Sequence, residues 1–356
     1  MPLNLSYNFI VAKIKAMYDR LLEKDIYLKL IKTRSTDEFI TVLSRTVYNQ
    51  YIRDVKEANL QSIENIILKS LFDDIMIVIK YSPRDVSNFV INFLDRFEIE
   101  NIKVILKGLY LGMRTREIVR YIVPTPLGLT FDDYYDIFEK ANSIEDFIHL
   151  FSGTDYSDII KKYLVFGKED AYIFIDSALD KYVYLKLWIM RKNLQKRLDR
   201  KIAEGFLGLE IDLLNIRTIL RGKKLGLSLD DLREFIIPAY YAINEEDLVD
   251  MLECKDVGSI FNILNKTTYG YLLRNILEDH KFRDSISLMD SEMMRLMIKF
   301  SREIIRKYYS YNHIGWLLSY INLKWIEVKN LRILLYSIVE NIPREIIEKI
   351  MVFNGV

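Results

Sequence analysis

Glycine and proline are scarce in this sequence, thirteen and six in 356 residues, well under half of the roughly 12% that average proteins devote to them. Folds built on many tight turns, such as sandwiches and barrels, need more residues that tolerate a positive φ. Glycine-cradled nucleotide folds need glycines where backbone must approach phosphate. Both are excluded, and a mainly helical chain remains. Charge of one sign is also missing: 51 bases face 50 acids, a net +1, with no long arm of either sign. A nucleic-acid binder would need a basic excess to displace counterions, so no nucleic-acid partner is expected. A single cysteine, Cys254, leaves no internal disulfide and no sign of an oxidising compartment. Met1 to Phe9 lacks the basic start and apolar core of a signal peptide, and the expected setting is the cytoplasm. The longest notable uncharged run, Tyr308 to Leu323, is interrupted by Ser310, Asn312, His313, Ser319 and Asn322. It falls short of the ~20 mostly apolar residues of a membrane span.

What the chain does have is a repeat. Glu98 to Gly112 (EIENIKVILKGLYLG) returns as Asp212 to Gly226 (DLLNIRTILRGKKLG) and again as Glu327 to Asn341 (EVKNLRILLYSIVEN). The copies lie 114 and 115 residues apart. Each has an acid, an asparagine three residues on, and a base two further: Asn101 with Lys103, Asn215 with Arg217, Asn330 with Arg332. Beneath them runs an apolar stripe at helical spacing, for example Leu213, Ile216, Ile219 and Leu220. Gly112, Gly226 and Asn341 then stop each helix, being the residue types that best enter the left-handed conformation. A second helix follows, ending near Pro124 and Pro238 in the first two copies.

A second block repeats as well. Asp25, Ser35 with Glu38, and Tyr48 are matched by Asp133, Ser143 with Asp146, and Tyr156; Asp247, Phe261 and Tyr269 form the third set. Ser35/Glu38 and Ser143/Asp146 have capping-box spacing, and Thr130/Asp133, Ser228/Asp231 and Asn244/Asp247 mark further helix starts. Between the landmarks lie long amphipathic stretches, among them Ala178 to Ile202 and Ser291 to Tyr309. The chain therefore divides into three similar helical units, 1–120, 121–235 and 236–356, in an all-α fold.

Asparagine is a modest helix former, and its return in mid-stripe three times calls for a cause. Hydrogen bonding to backbone or to Glu98, Asp212 and Glu327, pinning one helix to its neighbour, is the preferred reading over a ligand site. His149, His280 and His313 are scattered, without metal-ligand spacing, and neither a phosphate loop nor a nucleophile elbow is present. No catalytic residue, cofactor or metal is expected. Two basic features remain. Arg191, Lys192, Lys196, Arg197, Arg200 and Lys201 share one predicted helix and read as a solvated face, with contact to acidic protein or lipid headgroups as the alternative. Arg114, Arg116, Arg221, Lys223 and Lys224 lie at ends of repeated helices, where they would project from one end of the body as partner contacts or simply stabilise a last turn.

The three-fold repeat of Asn-Ile-Lys, Asn-Ile-Arg and Asn-Leu-Arg helices resembles the C-subunit family of archaeal A-type and related V-type rotary ATPases, equivalent to the d-subunit of the eukaryotic V-ATPase. Tyr7 to Leu22 is similar to that family's opening, with Lys13 and Lys15 where arginine is usual. Leu213 to Gly226 is close to its most recognisable stretch, and Gly153 to Tyr156 matches its Gly-Thr-x-Tyr turn. Departures are Asn341 in place of glycine and Arg45 to Tyr48 in place of the first such turn. The resemblance implies a funnel of three helical units with pseudo-three-fold symmetry. It implies a non-catalytic central-stalk rotor component, peripheral to the cytoplasmic face of the membrane. Such a component sits on the proteolipid ring, receives the central shaft made of the D and F proteins, and passes torque for ATP synthesis or ion pumping. A freestanding helical-repeat adaptor is the competing class.

Overall fold

The computed structural model describes residues 7–53, 59–119, 121–125, 127, 131–141, 143–150, 152–164, 171–270 and 286–352. Among them every regular element is helical, as the low glycine and proline content requires. The chain gathers into two compact units. The first holds residues 1–87, 194–206 and 264–356, and the second holds residues 88–193 and 207–263.

The first unit contains α1 (Tyr7–Tyr18), α2 (Lys24–Leu30), α3 (Thr36–Leu43), α4 (Asn49–Ile52) and α5 (Leu60–Tyr81). The start of α6 (Arg84–Phe93) also lies in it. In the second unit are α7 (Asp95–Tyr110), α8 (Thr115–Val119), α9 (Phe131–Lys140), α10 (Ile144–Leu150), α11 (Asp155–Leu164) and α12 (Ala171–Met190). A 28-residue helix, α13 (Arg197–Lys224), gives residues 197–206 to the first unit and the rest to the second. The second unit continues through α14 (Leu229–Phe235), α15 (Glu245–Glu253) and α16 (Val257–Leu264), whose last residue belongs to the first. The first then resumes with α17 (Ile286–Lys307), α18 (Gly315–Glu340) and α19 (Arg344–Ile350).

The helix ends follow from the residues placed there. Ser35, Ser228 and Asn244 each accept the backbone N–H three residues on, and Asn244 with Asp247 closes a full capping box. Ser143 does the same for Asp146 N at 3.1 Å, while Thr130 lies outside the described residues. Gly112, Gly226 and Asn341 have φ of 64°, 70° and 53°. In each, the next residue's N–H reaches five residues back: Met113 to Gly108 O, Leu227 to Gly222 O, and Ile342 to Ser337 O, at 2.9, 2.9 and 3.0 Å. The repeated sequence thus writes the same left-handed stop three times.

One expected helix is broken. Ala178 to Ile202 reads as a single amphipathic stretch, but α12 ends at Met190, a 3₁₀ turn covers Arg191–Asn193, and α13 starts at Arg197. No glycine or proline marks the break. Arg191 lays its guanidinium over the Trp188 ring and donates to the Trp188 carbonyl. Arg200 donates to Leu194 O at 2.8 Å, and the Gln195 N–H is accepted by Asp85 Oδ2 at 2.8 Å. Two nearby arginines and one distant carboxylate, Asp85, thereby satisfy the interrupted backbone.

In the first unit α18 is the core helix. It is buried on nearly every side, with Leu317, Leu318, Val328, Leu331 and Leu335 almost fully enclosed. It packs against α17, α5, α1 and α3, and buried apolar area of this kind supplies most of the folding free energy. In the second unit α12 lies against α7 and α11, burying Ile105, Leu106, Ile160, Leu179 and Leu187.

Candidate functional site

The three asparagines do one job. Asn101 donates from Nδ2 to Val123 O and accepts the Val123 N–H at Oδ1, both at 2.9 Å. Asn215 makes the same pair with Ile237, at 3.0 and 2.9 Å. Asn330 makes it with Val352, at 2.6 and 3.4 Å. The partner is 22 residues downstream every time. Val123 and Ile237 precede Pro124 and Pro238, and a residue before proline is pushed into extended backbone. Extended backbone turns its N–H and C=O sideways, where a carboxamide matches both. Buried, each asparagine therefore pins the segment after the next helix onto its own.

The acid three residues earlier holds a second segment. Asp212 Oδ2 accepts the N–H groups of Ala242 and Ile243 at 2.8 and 3.1 Å. Glu98 accepts the Tyr134 hydroxyl at 3.1 Å, and burial raises the Glu98 carboxyl above the usual range. Glu327, fully buried, accepts the Leu22 N–H at 2.6 Å, the Tyr48 hydroxyl at 2.7 Å and Lys324 Nζ at 2.7 Å. Tyr48 and Leu22 come from the first repeat and Glu327 from the third, so these two repeats are held together at one buried carboxylate. Burial, reinforced by Glu327, pushes the Tyr48 hydroxyl well above its ordinary pKa.

The bases of the first two copies end in one largely buried ion cluster. On α12, Asp176 and Asp180 stand one turn apart and face Lys103, Arg217 and Arg221. Lys103 contacts Asp180 directly and Asp176 at 3.5 Å. Arg217 Nη2 donates to Asp180 Oδ2 at 2.7 Å, and Arg221 Nη1 to Asp176 Oδ2 at 2.9 Å. Burial acts to raise Asp176, but Lys103, Arg217 and Arg221 outweigh it and hold the carboxyl at about 2. Asp180 is raised, by burial first, with the negative charge of Asp176 adding to it. Burial alone would lower the Lys103 pKa, yet the two aspartates raise it. Arg332, from the third copy, grips Glu64 of α5 through Nε and Nη2, both at 2.8 Å. A further buried pair, Arg96 with Glu210, joins α7 to α13.

The other basic residues divide. Arg114 is exposed, its N–H accepted by Glu117 Oε2 at 3.1 Å, and Lys224 is exposed. The Arg116 side chain lies outside the described residues. Arg221 turns inward to Asp176, and Lys223 donates to the Leu252 carbonyl. Of the interrupted stretch, Lys192, Lys196, Arg197 and Lys201 are exposed, and Lys196 Nζ lies 4.0 Å from the Tyr7 ring centroid. His313 is fully buried, accepting the Gly315 N–H at Nδ1 and donating from Nε2 to Tyr308 O, each at 3.1 Å. Its surroundings bring its pKa down to about 4, burial being the main cause. His280 lies outside the described residues.

The repeat pattern by itself gives no part to Gly108 and Gly222, which the fold uses directly. A Cβ at Gly108 would stand 2.4 Å from Ile118 Cγ1, and one at Gly222 2.1 Å from Leu232 Cδ2. The following helix packs where a side chain would be. The equivalence of these glycines across two copies is the signal that could have found them. Asp176, Asp180 and Glu64 carried no such signal, since their partners are 37 to 268 residues distant.

The acid, asparagine and base of each copy thus tie their helix to another part of the chain, a helix or the segment that follows one, and so fix its position. Among the described residues no helix is long and apolar enough to cross a membrane. A protein-family model described as ATP synthase (C/AC39) subunit matches residues 10–350. Among curated proteins, the C-subunit of the A-type ATP synthase of Methanocaldococcus jannaschii is 24% identical over 351 residues, covering 97% of this chain and 86% of its own. The protein of the same name from Thermococcus gammatolerans is 27% identical, covering 97% and 89%. That from Methanococcoides burtonii is 26% identical, covering 98% and 94%.

Proposed function

The chain belongs to the ATP synthase (C/AC39) subunit family, a non-catalytic component of an ATP synthase, and from that premise we propose that it is the central-stalk component linking a rotating shaft to a membrane ring. In this reading the repeats 1–120, 121–235 and 236–356 form a socket for the D and F proteins of the shaft. The opposite surface rests on the proteolipid ring at the cytoplasmic face of the membrane. Torque then passes from the catalytic head to the ring, for ATP synthesis or ion pumping.

The observation that supports this most is the threefold pinning of helices by Asn101, Asn215 and Asn330. A torque-bearing spacer must not deform under load, and buried bonds with no slack supply that stiffness. It needs no nucleophile and no cofactor. Arg114, Arg116 and Lys224 are the helix-end bases we assign to the ring or shaft contact, while Arg221 and Lys223 act inside the fold.

Reconstitution with purified shaft and ring tests the reading. ATP hydrolysis by the complete assembly should drive ion movement with this chain present and become uncoupled without it. Equal coupling in both preparations refutes the assignment.

A further inference from the structure

One end of the first compact unit collects aromatic rings and cations on its surface. Four segments meet there: residues 7–15, 78–87, 194–200 and 304–316. Asn312 Nδ2 donates to Asn8 Oδ1 at 2.6 Å, Phe9 meets Tyr81 edge to face at 5.4 Å, and Ile314 N–H is accepted by Asp199 Oδ1 at 2.8 Å. Phe9 is 43% exposed, Tyr309 61% and Tyr311 61%. Lys15 lies between two rings, 4.7 Å from the Tyr309 centroid and 4.6 Å from that of Trp316, which holds Tyr309 at the surface.

The charge here is one-sided although the whole chain is balanced. Lys80, Arg84, Lys196, Arg197 and Lys307 are exposed at this end. The carboxylates within the same segments are Asp85 and Asp199, and each already accepts a backbone N–H. Single exposed apolar side chains are ordinary on a protein surface. Three large rings set among five exposed cations, at helix ends, are a different arrangement. Phenol and phenyl rings settle at the level of lipid headgroups, where lysine and arginine meet phosphate. An acidic protein surface would satisfy the cations but offer the phenyl ring of Phe9 no apolar layer.

We propose that this end of the first unit binds an anionic lipid surface, its rings at headgroup depth and its lysines and arginines on the phosphates. The proposal goes beyond the rotor reading, which requires contact with a protein ring and none with lipid.

The test is co-sedimentation of the purified full chain with vesicles of phosphatidylcholine alone, or with about one-third phosphatidylserine added. The chain should sediment with the anionic vesicles only, and less at high salt. Lys80→Gln and Arg84→Gln should each weaken binding about fivefold. The combined Phe9→Ser, Tyr309→Ser and Tyr311→Ser variant should weaken it by at least about tenfold, with its melting temperature close to that of the parent. A Tyr309→Trp chain should show blue-shifted emission on the anionic vesicles. No sedimentation with anionic vesicles overturns the proposal, as does sedimentation indifferent to the ring substitutions. Binding to the isolated proteolipid ring without vesicle binding assigns the cations to a protein partner and overturns it too. The vesicle assay contains neither ring nor shaft, so its failure leaves the proposed rotor function standing.

Discussion

The Tyr48 hydroxyl donates to Glu327 Oε1 at 2.7 Å across 279 residues of chain. This bond closes the first repeat onto the third at a carboxylate that no solvent reaches. Tyr48→Phe removes the donor and leaves Glu327 with Lys324 and the Leu22 N–H. The loss should be about 1.5–3 kcal/mol, the range for a hydrogen bond to a charged group. Denaturant melts compared with the parent measure it, and a loss under about 0.5 kcal/mol would mean that the bond contributes nothing to closure.

Asn215→Ala should cost about 2–4 kcal/mol, because both backbone polar groups of Ile237 lose their partner in a buried site. The melting temperature should fall while the folded chain keeps its helical circular dichroism. An unchanged melt accompanied by lost partner binding would return the asparagines to the role of a ligand site.

Arg96 and Glu210 form a buried pair, which allows a double-mutant cycle. Arg96→Met and Glu210→Leu should each cost about 3–5 kcal/mol by stranding a charge, and the double substitution should cost less than either. Additive losses would show that the two side chains do not act as a pair.

Gly222→Ala places a Cβ against Leu232 and should cost about 1–3 kcal/mol through overpacking. Joining it to Leu232→Ala removes the clash, so the pair should cost less than the sum of the single changes. Thermal melts of the three variants decide it.

His313 has its pKa brought down to about 4 from an ordinary 6.5. Its unfolded form takes up the proton first, so its stabilising contribution is complete above about pH 6.5 and is lost as pH falls toward 4. Asp199, raised by burial, titrates with the opposite sign and adds stability as pH falls. The difference between parent and His313→Gln, measured at each pH, isolates the histidine. It should shrink steadily from neutral pH to about 4, and a constant difference would refute the assignment.

Features set by a few neighbouring residues were legible in the sequence. The left-handed stops at Gly112, Gly226 and Asn341, the caps at Ser35 and Asn244, and the pinning role of the asparagines each follow from local chemistry and a repeated register. Features depending on distant partners were not. Nothing near Gln195 announces that Asp85, 110 residues away, accepts its N–H where the helix breaks. Arg221 reads as a last-turn cation until Asp176 is seen beside it. Family membership was legible because order and spacing of weak motifs survive where identity is low.

The composition of the first compact unit dictates an order of events during synthesis. Residues 88–263 contain all of the second unit and are translated before residues 264–356, which belong to the first. The first unit needs α18, and α18 ends at Glu340. Until then Ile10, Ile14 and Tyr27 lack the helix that covers them, and the carboxylate awaiting Tyr48 has not been translated. The nascent chain therefore carries α1 and α2 without their covering helix until α18 is made, and apolar surface exposed in such an interval is what chaperones hold.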